Sequence, residues 1–257
     1  MLYCLKLVVI AAVTLPAAII TILIGLFDPY GNHAYGISRV WTWMVITVSG
    51  VSVKVGGLNN IDPKRQYIFM VNHQSYIDIP VLVQSLAGFQ LRWIAKRELL
   101  RLPFFGWALR AAKHIPIDRS DRFDALGGLQ KAKERMKGGV SIVFFPEGTR
   151  SSGGTLLPFK RGGFLLAART QTPIVPVTIN GSGAILPKGD WRIRRGEVEV
   201  TVSEPVSVDN FRAGTLRGLS AQMEELIRKN LRPASDSVIG RSRQAPSMAS
   251  PMEKRTV

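Results

Sequence analysis

The sequence predicts an α/β domain, a mixed central sheet flanked by helices, preceded by an N-terminal hydrophobic membrane-anchoring helical segment. Three observations predict it. Short apolar runs bounded by glycine, proline or polar residues occupy 67–71, 140–145 and 174–179, while Val198, Val200 and Val202 alternate with polar residues, the patterns of buried and half-exposed strands. Segments of helical content lie between and after these runs. Ahead of them all, residues 7–27 carry no charge between Lys6 and Asp28.

That first run is 21 residues long, which at ~1.5 Å per residue matches the ~30 Å of a bilayer core. It exceeds a typical signal-peptide h-region, and no A-x-A-like cleavage site follows it. Pro16 should kink a helix there unless neighbouring groups satisfy the carbonyl it frees. A second uncharged stretch, 40–53, opens with Trp41 and Trp43 and is too short for an ordinary span. It reads as an interfacial or re-entrant helix, or as a buried core element. Residues 1–55 are therefore expected to anchor the protein, and 56–232 to form a catalytic domain.

Within that domain the run 67–71 reads as a strand ending at Asn72-His73. Proline is tolerated in a first helical turn and costly deeper in, so Pro80 implies a helix beginning near Asp78. Residues 123–137 have helical content and end in Lys131, Lys133, Arg135 and Lys137 before Gly138-Gly139, as a helix C-terminus does. Leu216, Leu219, Met223, Leu226 and Ile227 recur at helical spacing and are expected to face the core. The last 25 residues, 233–257, hold five serines, three prolines and no aromatic residue; a disordered basic tail is expected there.

Composition bounds the function. A net charge of +16 attracts anions: nucleic acid, anionic membrane lipids or an acidic carrier protein. No RNA- or DNA-binding motif is present, and a leading membrane segment argues against nucleic acid. Cys4 is the sole cysteine, which excludes internal disulfides and multi-cysteine zinc cages and fits a reducing, cytosol-facing domain. The cytoplasmic face of the cell membrane is the expected location.

Two stretches carry chemistry, NHQSYID at 72–78 and FPEGTRS at 145–151. Among the three histidines only His73 has an acid five residues on, Asp78; with eighteen acidic residues in the chain, one such pair arises by chance about 20% of the time. A regular helix would leave the two about 140° apart, so an irregular strand-to-helix loop must bring them together. Ser75 as N-cap with Asp78 in capping-box position is the structural alternative for this carboxylate. In the second stretch Arg150 offers a planar fork matching phosphate oxygens, and Gly148 allows close backbone approach. Glu147 would be repelled by a phosphate unless it held Arg150 or accepted from an acceptor hydroxyl.

These stretches resemble the phospholipid/glycerol acyltransferase superfamily, and most closely its bacterial 1-acyl-sn-glycerol-3-phosphate acyltransferases. The likeness extends in order through Lys96-Arg97-Glu98-Leu99, Leu102 to Gly106, Ile117-Asp118-Arg119, Phe159 to Gly163 and Thr172 to Val177, roughly residues 50–205. Pro116 departs from it, standing where the family usually carries an aromatic or aliphatic strand residue. The resemblance implies that the loop Glu147-Gly148-Thr149-Arg150 binds the acceptor, Glu147 included, and that Lys96 lies by the reacting centre.

The residues fit that chemistry. Acyl transfer from a thioester to an alcohol needs the alcohol deprotonated as it attacks, and an imidazole is suited to the task. Asp78 would take the other ring N–H, fixing the tautomer. The nucleophile is the acceptor's own hydroxyl and the leaving thiolate needs little acid assistance, so no cofactor is expected; acyl-CoA or acyl-carrier protein serves as substrate. Arg119, and after it Lys160-Arg161, are further candidates for phosphate. The expected reaction acylates lysophosphatidic acid. Other acceptors, namely glycerol 3-phosphate, another lysophospholipid or a lyso-aminolipid, are the nearest alternatives, and a non-catalytic membrane-attached lipid-binding protein is the alternative of a different class.

Overall fold

The computed structural model describes residues 2–118, 122–152, 154–209, 211 and 216–232. Arg119 and the expected tail at 233–257 lie outside the described residues. Two helices lead, α1 (Leu2–Gly25) and α2 (Asn32–Ser49). The α/β part follows as β1 (Val51–Gly56), β2 (Ile68–Val71), α3 (Asp78–Ser85), β3 (Leu91–Lys96), α4 (Phe105–Ala111), β4 (Ile115–Ile117) and α5 (Arg122–Met136). It continues with β5 (Ser141–Phe144), α6 (Gly162–Thr170), β6 (Ile174–Asn180), α7 (Ser182–Ile185), β7 (Gly196–Val202) and α8 (Leu216–Asn230).

The strands form one mixed sheet in the order β1-β7-β6-β2-β5-β3-β4. All neighbours are parallel except β6 and β7. Side chains alternate across it: Phe69 and Val71 of β2 join α2 and α3 on one face, while Ile68 and Met70 join α5, α6 and α8 on the other. With both faces covered, the central strands need apolar residues at every position, which is why they read as continuous runs. Leu216, Leu219, Met223 and Ile227 of α8 are buried, as their spacing requires.

The uncharged stretch 40–53 turns out not to be one element. α2 begins at Asn32, well before it, and stops at Gly50, whose left-handed backbone (φ +71°) lets its N–H cap the carbonyls of Ile46 and Thr47. The branched residues Val51, Val53 and Val55 then extend as β1, which pairs along its length with β7. The boundary expected between residues 55 and 56 therefore falls inside a strand of the sheet. Pro116 sits in β4 at the sheet edge, where a missing N–H is tolerated.

α1 runs unbroken through Pro16. By length and composition it is the one helix among the described residues able to cross a membrane, yet both of its ends are fastened to the rest of the molecule. Near the start the Lys6 ammonium donates to the carbonyls of Ser49 (2.7 Å) and Ile193 (3.2 Å). At the end Gly25 lies so close to α4 that a Cβ there would come within 2.6 Å of the Ala111 methyl. The corner into α2 is built on Asp28, whose carboxylate accepts from the backbone N–H groups of Gly31 (2.8 Å), His33 (2.7 Å) and Ala34 (3.0 Å). Beneath it the buried Arg92 of β3 donates to the Tyr30 carbonyl and the Asn32 side chain, both at 2.8 Å.

Burial pushes the Asp28 carboxyl up, and the N–H groups of Ala34, His33, Gly31 and Asn32 more than offset it, leaving it below the ordinary carboxylate range. Its stabilisation is therefore present above the unfolded value of about 3.9 and lost as pH falls through the depressed folded value. Asp28→Ala should destabilise the protein by about 1–2 kcal/mol at neutral pH. Thermal unfolding in detergent should show the gap from wild type closing once the pH drops below about 4.

Candidate active site

β2 and β5 are adjacent parallel strands, so the loops that follow them open at the same edge of the sheet, the side on which α/β folds bind ligands. The NHQSYID loop leaves β2 and the FPEGTRS loop leaves β5. Asn72 moors the first: its amide donates to the Ile179 carbonyl (2.9 Å) and accepts from the Ile179 N–H (2.7 Å), extending the β2–β6 pairing by a side chain.

Asp78 opens α3 and is fully buried. Its Oδ2 lies 2.8 Å from His73 Nδ1 and accepts from the backbone N–H groups of Gln74 (2.8 Å) and Ser75 (2.9 Å). The carboxylate thus does both things the sequence allows: it caps the loop and holds the imidazole. Ser75 is committed to the backbone, donating to the Leu186 carbonyl (2.8 Å) and accepting from the Ile77 N–H (3.2 Å). That contact engages Nδ1 of His73 and leaves Nε2 as the ring nitrogen outside it.

The face of the His73 ring stacks on Phe145, centroids 3.9 Å apart and planes at 16°, and Trp93 stacks behind Phe145 at 5.9 Å. This aromatic backing fixes the ring plane while Asp78 fixes its edge. Phe145 reads in the sequence merely as the end of an apolar strand, so nothing there marks its role.

Of the two roles open to Glu147, a contact with Arg150 is not seen among the described residues. Glu147 is buried, and its two oxygens accept from the N–H groups of His73 (2.8 Å) and Leu157 (2.9 Å). Ser151 N–H returns to the His73 carbonyl at 2.8 Å. Glu147 therefore ties the NHQSYID loop to the FPEGTRS loop, and the reason is burial: a carboxyl group so enclosed must take whatever N–H donors surround it. That burial raises its carboxyl above the ordinary range, against the lowering effect of the Leu157 and His73 donors.

Arg150 is held another way, its guanidinium 3.7 Å above the Tyr76 ring, a cation–π contact that leaves the fork's edge for oxygen ligands. Tyr76 belongs to the first motif and Arg150 to the second. Gly148 adopts φ +74°, and a Cβ there would meet the Lys160 side chain at 2.8 Å, so glycine admits a second cation beside the loop. Lys96, at the end of β3, pairs with Glu98 at 3.0 Å, and Arg97 pairs with Asp124 on the surface.

One cavity of about 790 Å³ joins these groups. His73, Lys96, Gly148, Thr149, Arg150 and Lys160 line it, and the rest of its wall is largely apolar, with Ala18 from α1, Trp41 from α2, Val83 from α3 and Leu109 from α4. A carboxylate-held imidazole, cationic side chains and a largely apolar wall thus meet in one cavity. An acyltransferase family model matches residues 52–180, and the chain belongs to that family.

Individual relatives agree. The 1-acyl-sn-glycerol-3-phosphate acyltransferase of Pseudomonas aeruginosa is 33% identical over 215 residues, 82% of this chain and 81% of its own. The chloroplastic 1-acyl-sn-glycerol-3-phosphate acyltransferase LPAT1 of Arabidopsis thaliana is 33% identical over 206 residues, 77% of this chain. The chain spans little more than half the length of the chloroplastic relatives from Arabidopsis thaliana (57%) and Brassica napus (53%). The crystal structure of the 1-acyl-sn-glycerophosphate (LPA) acyltransferase PlsC from Thermotoga maritima matches with a TM-score of 0.75 at 28% identity, covering 95% of this chain and 97% of that one.

Glu147→Ala leaves two buried N–H donors without their acceptor, which should cost about 1–3 kcal/mol for each. Because the folded carboxyl is raised, its contribution is largest below the unfolded value of about 4.3 and shrinks as pH rises through the raised value. Thermal unfolding of wild type and variant should therefore show a gap that narrows on going from acid to neutral pH, opposite in sign to that for Asp28.

Proposed function

We propose that this protein transfers a fatty acyl group from an acyl thioester, acyl-CoA or acyl-carrier protein, to the free hydroxyl of lysophosphatidic acid, giving phosphatidic acid. The observation that carries the reading is that His73 and Arg150 face one cavity whose remaining wall is largely apolar. The acceptor's phosphate sits against Arg150, with Lys160 beside it and Arg119 as a further candidate, and presents its hydroxyl to Nε2 of His73. As that oxygen attacks the thioester carbonyl, its proton passes to Nε2, and Asp78 stabilises the imidazolium through Nδ1–H. Collapse of the tetrahedral intermediate breaks the C–S bond, and the thiolate recovers the proton from His73. Lys96 at the cavity rim is a candidate for the developing charge. The acyl chain lies in the apolar part of the chamber.

We read the N-terminal part as an in-plane membrane anchor. A helix of 24 residues is about 36 Å long, enough to cross a bilayer. Crossing would pull either the Lys6 end or the Gly25 end away from the domain that both ends touch. An orientation along the surface keeps both contacts and turns the exposed Val8, Leu15, Leu23 and Phe27 of the α1 region, together with Trp107 of α4, toward lipid. The excess of positive charge favours anionic lipids. Water-soluble thioester donors put the domain on the cytoplasmic face.

The function is tested with purified protein, radiolabelled acyl donor and a panel of acceptors. His73→Ala should lower kcat by about 10²–10⁴-fold with the fold and vesicle binding retained, although loss of the Asp78 contact lowers the unfolding temperature; near-normal turnover would remove the base assignment. Arg150→Ala should raise KM for lysophosphatidic acid far more than for a monoacylglycerol without phosphate, and equal changes would defeat the phosphate role. Cys4 is exposed at the start of α1 and is the only cysteine, so it reports topology. A membrane-impermeant maleimide should label it from the same face on which the catalytic domain is open to protease, whereas labelling from the opposite face alone would mean that α1 crosses the bilayer.

A further inference from the structure

The chamber wall contains a polar group that the proposed reaction leaves unused. His114 lines the cavity although only 9% of it is exposed. Its Nδ1 accepts from the backbone N–H of Trp93 at 3.2 Å, which leaves the proton on Nε2. Burial, and then the charge of Arg92, push its basicity down to about 3, so the ring is neutral throughout the physiological range. Among the described residues Nε2 has no hydrogen-bond partner.

The threonines of the wall are already engaged. Thr14, Thr21 and Thr42 each donate to a carbonyl of their own helix, at 2.6, 2.7 and 2.8 Å. His114 differs from these in turning an N–H that no described residue engages toward a largely apolar cavity. A ligand oxygen arriving there can accept from it, and a plain methylene cannot.

Strand register says how deep the donor lies. Phe69 of β2 is level with Val143 of β5, Val143 with Trp93 of β3, and Trp93 with His114, one residue before the Ile94–Ile115 pair. β2 ends at Val71 and His73 lies in the loop beyond it, so His114, level with Phe69, is set back inside the sheet from the edge where His73 stands. It stands where the middle or far part of an acyl chain would run.

We propose that His114 is a specificity-determining residue that recognises an oxygen substituent, a hydroxyl, keto or epoxide group, carried well along the acyl chain from the thioester. This rests on reading the cavity as the acyl site. The test compares octadecanoyl-CoA, a mid-chain hydroxyoctadecanoyl-CoA and the isomer hydroxylated beside the thioester. Wild type should favour the mid-chain hydroxyl over the plain chain by roughly three- to tenfold in kcat/KM, with no preference for the hydroxyl beside the thioester. His114→Leu should abolish the preference and keep transfer of the plain chain. His114→Gln, which retains an N–H at similar reach, should keep much of it.

Calorimetric binding of the same three thioesters without acceptor makes the result independent of turnover. If lysophosphatidic acid is not the acceptor, transfer fails with every donor while the binding preference persists. Equal affinity of wild type for the plain and mid-chain hydroxylated donors overturns the assignment, as does a preference unchanged in His114→Leu.

Discussion

A buried carboxylate at the start of α3 is the constraint on which the site is built. Asp78 has no access to solvent, and an ion so placed costs several kcal/mol unless donors surround it. The donors available are the backbone N–H groups of the residues just before it and the ring of His73, all converging on Oδ2. The loop must therefore curl over the carboxylate, and in curling it sets the imidazole's edge. Glu147 repeats the device in the neighbouring loop, except that its donors come from two different segments. Two enclosed acids thus replace regular backbone pairing where the chain leaves the sheet, and they tie the NHQSYID and FPEGTRS loops together.

Those loops open on the cavity, part of whose wall is borrowed from the helices that precede the sheet. α1 and α2 pack together, α1 also lies on α4, and each contributes side chains to the chamber. The Asp28 corner and the buried Arg92 beneath it hold these helices to β3. Position relative to the base is therefore set through the sheet: β3 carries both the Arg92 tether and the Trp93 that backs Phe145 and His73.

The sequence made the central strands, α3, α5 and α8 legible because burial on two faces or at helical spacing leaves a pattern. It hid β3, since Arg92 and Lys96 interrupt an otherwise apolar run and the burial of Arg92 depends on Tyr30 and Asn32, about sixty residues earlier. It hid β1 by joining its valines to an uncharged helix across Gly50. His73 and Asp78 were legible from spacing and a proline, because their contact is local. Tyr76 under Arg150, Phe145 behind His73 and the true donors to Glu147 were not, because each joins two loops brought together only by the β2–β5 pairing. Spacing along one segment says nothing of such contacts.

An amphiphile with a charged head and a long apolar tail imposes opposite demands on a single cavity, and the fold meets them by dividing the labour. Cations are placed on loops at the open edge of the sheet, where water and lipid headgroups screen them, and the apolar wall comes from helices whose outer faces also present apolar residues. On the proposed reading α1 serves both attachment and chain binding: its inner side lines the chamber, and its exposed apolar side chains are those that would meet lipid. Loss of this helix would then open the chamber wall as well as weaken attachment. The N-terminal segment is in this sense part of the wall of the proposed active site, the same wall in which His114 is proposed to select the chain.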